Sequence, residues 1–209
     1  MKRYLTEFIG TFFLVLTVFL TVTNGTQMAP LAIGCSLMIM VYMGGHISGG
    51  HYNPAVTLAA FLRGACAAGD VLPYWVAQLA GGIVASAAGA YLSQKPFVPR
   101  PGTEVMAAAV LNEVLFTFAL ALVVLNVATA KKTANNSYFG LAIGFTVVVG
   151  AFAGGGISGG AYNPAVGLGP IIYSAMTGGT NLGHFWLYIA GPLVGGALAA
   201  GVFKIQEAE

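Results

Sequence analysis

Between Phe8 and Leu62 the chain carries no Asp, Glu, Lys or Arg over 55 residues, and between Thr133 and Phe203 none over 71. A helix that crosses a bilayer needs about 20 predominantly apolar residues, so each stretch holds more than one crossing. With 57% hydrophobic and 7% charged residues, the chain is far from a soluble domain, in which about a quarter of residues are charged. Soluble enzymes, nucleic-acid binders and disordered chains are excluded. A net charge of +2 is too small to argue for a polyanionic partner.

Breaking the apolar stretches at Gly, Pro and polar clusters predicts six spans, Tyr4–Thr23, Pro30–Gly45, Val71–Leu92, Glu104–Thr129, Tyr138–Gly154 and His184–Phe203. Two shorter apolar stretches remain, Asn53–Leu62 and Asn163–Ser174. At about 1.5 Å per helical residue they cover roughly half of a bilayer core. Re-entrant half-helices fit them, because irregular backbone at membrane depth is tolerated where protein or a watery cavity surrounds it.

Six spans with the N-terminus inside place Lys2, Arg3, Arg63, Lys131, Lys132 and Lys204 in the cytoplasm and only Lys95 and Arg100 outside, as the positive-inside rule requires. Both termini are then cytoplasmic. Lys2 and Arg3 could open a signal peptide, but no small-residue cleavage site with a soluble domain follows, so an uncleaved first helix is expected. Cys35 falls in a span and Cys66 in a loop, which implies no disulfide or metal framework.

The chain repeats itself. Gly44–Thr57 reads GGHISGGHYNPAVT and Gly154–Gly167 reads GGGISGGAYNPAVG, identical at 11 of 14 positions with an offset of 110. The same offset sets Ala80–Val84 (AGGIV) against Ala190–Val194 (AGPLV), while Glu7 and Glu113 are 106 apart. Repeats of approximately 1–95 and 104–209 each contain three spans, an odd number, so the second half is expected upside down relative to the first. Inverted repeats place a functional site at the membrane midplane, where their broken helices meet.

Asn53-Pro54-Ala55 and Asn163-Pro164-Ala165 each read as a helix start. An Asn side chain caps the first free backbone N–H groups, Pro is pre-set for the next position, and Ala follows with the highest helix propensity. One copy alone reads as a cap in a loop. Two copies in near-identical blocks, each opening a half-length apolar stretch, point to two helix ends meeting at the bilayer centre. Gly49-Gly50 and Gly159-Gly160 permit a tight lead-in whose carbonyls can line a pore. With its oxygen used as a cap, each Asn keeps an NH₂ that can donate into a lumen, and two helix dipoles aim their positive ends there.

These residues resemble the aquaporin (major intrinsic protein) family. The likeness runs along nearly the whole chain through EFIGTFFL at Glu7–Leu14, the first block, AQLAGG at Ala77–Gly82, the second Asn-Pro-Ala and Gly191-Pro192. The resemblance implies an all-α membrane fold of six transmembrane helices plus two re-entrant half-helices, a pore in each subunit of a homotetramer, and passive movement of water or small neutral solutes that excludes ions and protons. Glu7 and Glu113 match residues that hold the re-entrant backbone, and His46 is expected to brace a loop or line the pore.

The family's outer filter, carried over by motif spacing, falls on Ile33, Ala151, Gly160 and Val166. Water-selective members resemble an aromatic, His, small residue and Arg set; here Val166 stands where the Arg is usual. Small Ala151 and Gly160 widen this constriction while Ile33 and Val166 make it apolar, so a channel less strict for water than the family norm is expected. Gly167 stands where glycerol-conducting relatives commonly carry an acidic residue, which weakens that assignment. A channel for small neutral or apolar solutes or gases with water incidental, and a non-conducting scaffold on the same fold, stay open as alternatives.

No catalytic constellation, cofactor or metal set stands out: His46 and His51 do not complete a tetrahedral site. Tyr4, Tyr74, Trp75 and Trp186 near span ends suit an interfacial belt. The partners expected are water, small neutral solutes, lipids and further copies of the chain. The setting expected is an integral membrane protein of a prokaryotic inner membrane.

Overall fold

The computed structural model describes residues 1–180, 182 and 184–207. Eight α-helices follow one another: α1 Lys2–Asn24, α2 Ala29–Ser48, α3 Pro54–Arg63, α4 Ala68–Ser93, α5 Met106–Thr129, α6 Phe139–Ser158, α7 Pro164–Met176 and α8 Leu187–Glu207, with one 3₁₀ turn at Lys131–Thr133. Six of them are 20 to 26 residues long and apolar enough to cross a membrane, about 30–39 Å at 1.5 Å per residue. The two short ones, of 10 and 13 residues, fall on the two half-length stretches. The α4 helix begins three residues before the predicted Val71 and α8 three residues after His184. The apolar pattern fixes a helix's course but places its ends only to within a few residues.

The helices face two solvents. Leu72, Val76, Leu111, Leu115, Phe152 and Leu198 are more than half exposed on the outer surface, whereas Glu7, Thr11, Gln78, Ser86, Glu113, Thr117 and Ser158 are completely buried. An apolar outside around a polar inside suits lipid, which offers an internal polar group no partner; most of these groups find one within the protein, while Thr11 Oγ1, Thr117 Oγ1 and Gln78 Oε1 have none among the described residues.

Packing repeats between the halves. The α1 helix packs on α4 as α5 packs on α8, and α1 meets α2 as α5 meets α6. Each half-helix packs against the last long helix of the other half, α3 against α8 and α7 against α4. The halves are also joined through α2 and α6, which cross at Gly34 and Gly144. A Cβ added to either glycine would lie 2.5 Å from the carbonyl oxygen of the other. That reciprocal contact between residues 110 apart is what small residues at a crossing allow.

The 110-residue offset does not extend to the last helices. Gly81 lies against Phe8 and Gly195 against Val114; Gly82 lies against Ala165 and Gly196 against Ala55. The Tyr74 hydroxyl donates to the Ser48 carbonyl and the Tyr188 hydroxyl to the Ser158 carbonyl. The structural partner of Gly81-Gly82 is therefore Gly195-Gly196, 114 residues on. The match of AGGIV to AGPLV is displaced by about one helical turn. A longer connection between α7 and α8 than between α3 and α4 absorbs the extra four residues.

Candidate functional site

The site is built from the two Asn-Pro-Ala helix starts. The Asn53 side-chain oxygen accepts from the Ala55 N–H at 2.8 Å and the Asn163 oxygen from the Ala165 N–H at 2.9 Å. Both Asn residues are extended, with Pro in the first turn behind them. Each NH₂ does more than face a lumen. Asn53 Nδ2 donates to the Tyr162 carbonyl at 2.9 Å, and Asn163 Nδ2 donates to the Tyr52 carbonyl at 2.8 Å. Each amide therefore stitches its own half-helix to the lead-in of the other half and retains one further hydrogen.

The lead-ins take an unusual path. Gly49, Gly50 and Tyr52 all have positive φ (93°, 63° and 49°), as do Gly159, Gly160 and Tyr162 (90°, 64° and 49°). A left-handed tyrosine is costly, and here both rings are buried and hydrogen-bonded. Tyr52 donates to the Met40 carbonyl at 2.9 Å and Tyr162 to the Gly150 carbonyl at 2.8 Å.

Two buried carboxylates hold this backbone. Glu7 accepts from Ser48 Oγ (2.6 Å) and the His51 N–H (3.0 Å) on one oxygen, and from the Tyr52 N–H (2.6 Å) and Gln78 Nε2 (2.8 Å) on the other. Glu113 accepts from Ser158 Oγ (2.6 Å), the Ala161 N–H (3.0 Å) and the Tyr162 N–H (2.7 Å). A carboxylate persists away from water when its lone pairs are filled in this way.

His46 stands outside this bracing. It is exposed, and among the described residues its ring has no hydrogen-bond partner, but it lines a cavity on the side of the α3–α4 loop together with His51 and Arg63. The bracing side chains the sequence did not single out are Ser48, Ser158, Gln78 and Asn112, which bonds Gly154, Ser158 and Tyr162. Recurrence of Ser48 as Ser158 inside the repeated block was the available signal. Tyr74 and Trp75 are likewise not a belt: Tyr74 is buried, and Trp75 Nε1 donates to the Pro54 carbonyl at 3.0 Å.

Removing one such strut should be measurable. Tyr188→Phe leaves the buried Ser158 carbonyl without its 2.8 Å donor, at an expected cost of about 1–3 kcal/mol. Thermal unfolding in detergent reads this, and an unchanged midpoint contradicts it.

A cavity of about 600 Å³ opens beside the Asn pair. Its wall includes Asn53, Asn163, Ile33, Ala151, Gly160 and Val166 together, and is otherwise largely apolar, with Leu14, Val18, Leu120 and Ile143. A second cavity of about 550 Å³ lies on the side of the α3–α4 loop, lined by Arg63, Cys66 and Asp70 among others. His51 and Val124 border both. Burial and the nearby Asp70 push the Cys66 thiol up from its ordinary range, which keeps it protonated at neutral pH. His51 Nδ1 lies 3.1 Å from Thr57 Oγ1, which donates to the Asn53 carbonyl.

Among the described residues no group of three or more His, Cys, Asp or Glu could hold a metal. The model of the family described as major intrinsic protein matches residues 1–203. A glycerol uptake facilitator protein-like 6 of Lactiplantibacillus plantarum is 38% identical, with all of both chains aligned. Aquaporin Z of Bradyrhizobium diazoefficiens is 33% identical over 98% of this chain and 92% of its own. The fold superposes on the crystal structure of the aquaglyceroporin from Plasmodium falciparum with a TM-score of 0.88, at 22% identity, covering 97% of this chain and 95% of that one. A family match along nearly all of the chain, full-length relatives and six apolar helices of spanning length together make this chain an integral membrane protein of the major intrinsic protein family, whose members are passive channels and not enzymes.

Proposed function

We propose that the protein conducts water and small uncharged solutes through the passage between its two halves, with Asn53 and Asn163 as the central donors. Ile33, Ala151, Gly160 and Val166 form the narrow collar in this reading. The observation that carries it is the shared cavity: both Asn amides and all four collar residues line one space of about 600 Å³. None of the four bears a charge or a side-chain hydrogen-bond donor. Two helix N-termini directed at the same point disfavour a cation there, and half-helix dipoles of this kind are the general device by which aquaporin-type pores exclude protons and cations.

The collar sets the solute class. Without His or Arg there, few donors replace a permeant's hydration shell, and small Ala151 and Gly160 leave width. The protein therefore passes solutes larger or less polar than water, consistent with a relative named for glycerol uptake. In this reading the halves 1–95 and 104–209 run in opposite senses across the membrane. The subunit is one of four, and both termini face the cytoplasm of a prokaryotic inner membrane.

Stopped-flow light scattering on reconstituted vesicles tests it with water, glycerol, urea and ammonia. Val166→Arg is expected to cut glycerol flux relative to water by about tenfold, because a guanidinium narrows an apolar collar and adds polar donors. Fast water flux with no larger solute passing in the parent protein sinks the wide-collar reading. A lipid-only rate for every solute favours a scaffold.

A further inference from the structure

The filter position that usually holds a cation is filled by Val166, which is only 6% exposed. A different arginine borders the same space. Arg100 lies on the segment between α4 and α5 and lines the cavity together with Ile33, Gly160 and Val166. We propose that Arg100 supplies the positive charge of the outer mouth, acting from a connecting loop and not from the second half-helix. The proposal deepens the channel reading and rests on it.

The loop is built to hold that residue in place. Residues 95–101 read Lys-Pro-Phe-Val-Pro-Arg-Pro, and prolines flank Arg100 on both sides. Each proline fixes its own φ and has no N–H to satisfy, so the segment keeps an extended shape without strand partners. Three anchors tie it down. The Phe97 ring packs edge-on against Phe19 at 5.4 Å between centroids. Pro99 is buried. The Gly102 N–H donates to the Ile157 carbonyl at 3.1 Å.

The main chain at Arg100 also lies directly on the lead-in to the second half-helix. A Cβ at Gly159 would come within 2.8 Å of the Arg100 carbonyl oxygen. The backbone of Arg100 is thus fixed beside Gly159-Gly160, at the rim of the collar.

The side chain is uncommitted. Arg3 is paired with Asp70 at 3.3 Å, and Arg63 donates to Thr129 at 2.9 and 2.7 Å. Lys95 Nζ, on the same loop, donates to the Thr23 carbonyl at 3.0 Å. Among the described residues the Arg100 guanidinium has no ion-pair or hydrogen-bond partner, and the residue is exposed. Its five donors and its permanent charge are therefore available at the entrance. A fixed charge at an apolar cleft is focused by the low-dielectric walls. There it repels entering cations and offers donors to the oxygen of a neutral solute.

Vesicles containing the parent protein, Arg100→Gln, Arg100→Glu and Arg100→Lys are compared for water, urea and potassium flux. Arg100→Gln is expected to raise potassium leak roughly tenfold, the size a unit charge about 6 Å away gives at an effective dielectric near 40. Arg100→Glu is expected to raise it further, and Arg100→Lys to keep exclusion close to the parent. Adding Val166→Arg to Arg100→Gln should restore exclusion by returning a guanidinium to the collar itself.

The parent protein provides a second measurement that needs no variant to fold. An arginine-selective dicarbonyl applied to the outer face of parent vesicles is expected to raise potassium leak, and the chain's other two arginines, Arg3 and Arg63, lie on the opposite face in this reading. Water conduction with equal potassium exclusion in parent, Arg100→Gln and Arg100→Glu, or no effect of the reagent, overturns the role of Arg100 and leaves the channel reading standing. A lipid-only water rate in the parent overturns the channel reading itself.

Discussion

Replacing Glu7 with Gln is expected to destabilise the protein by about 2–5 kcal/mol, and more than the same change at Glu113. The reason is the count of donors. Both oxygens of Glu7 accept two hydrogen bonds each, from Ser48, His51, Tyr52 and Gln78. An amide must turn an NH₂ toward one of those pairs, so a buried backbone N–H at His51 or Tyr52 loses its acceptor. Each such orphan costs about 1–3 kcal/mol, and charge assistance is lost from the bonds that remain.

Glu113 accepts three donors, and only Tyr162 N–H occupies its second oxygen. A Gln there orphans that single group, and no glutamine has to reorient beside it. Thermal unfolding in detergent separates the two variants. Equal midpoints for Glu7→Gln and parent would falsify the donor count, and a larger loss at Glu113 would reverse its ordering.

Asn163→Asp and Asn53→Asp should produce the largest functional change. Aspartate is as good a helix cap as asparagine, so the bond from the Ala165 N–H survives. The other half of the side chain does not adapt. Where Asn163 Nδ2 donates to the Tyr52 carbonyl at 2.8 Å, a carboxylate presents oxygen to oxygen. Residue 163 is 4% exposed, so the new charge is also largely removed from water. The helix N-terminus returns up to about 2 kcal/mol, less than the several kcal/mol that effective burial of an ion costs.

The expected net loss is about 2–4 kcal/mol of stability from the carbonyl contact and the desolvated charge together. Exclusion of cations is also lost, since the midpoint potential changes sign. Potassium flux in vesicles and unfolding in detergent are read on the same preparations. An Asn163→Asp protein that melts with the parent and still excludes potassium contradicts both parts. The reciprocal bond from Asn53 to Tyr162 at 2.9 Å requires Asn53→Asp to behave alike.

Much of the fold was legible in the chain because lipid simplifies the code. In a solvent that cannot hydrogen-bond, a long apolar stretch without strand pairing has to become helix, and the six long spans followed from the apolar stretches and the Gly, Pro and polar breaks within them. The half-helix starts were equally readable, since Asn, Pro and Ala each act on local backbone. The four proposed collar positions could be named only through the family spacing, and the cavity they share emerges only when helices from both halves are assembled.

The sequence by itself determined the solvent, the number of crossings and the two helix starts, because each depends on residues close together along the chain, and it showed the repeat, because near-identical blocks are visible without any structure. Tertiary structure decided what those residues touch. Assembly across the halves displaced the last helices from an offset of 110 to 114, drew Tyr74 and Tyr188 inward, left His46 outside the bracing, and spent one hydrogen of each Asn amide on the opposite half. It also carried Arg100 from a linker to the rim of the cavity. These outcomes depend on contacts between segments up to about a hundred residues apart, whose geometry no local pattern encodes, because close packing is a property of the assembled helices.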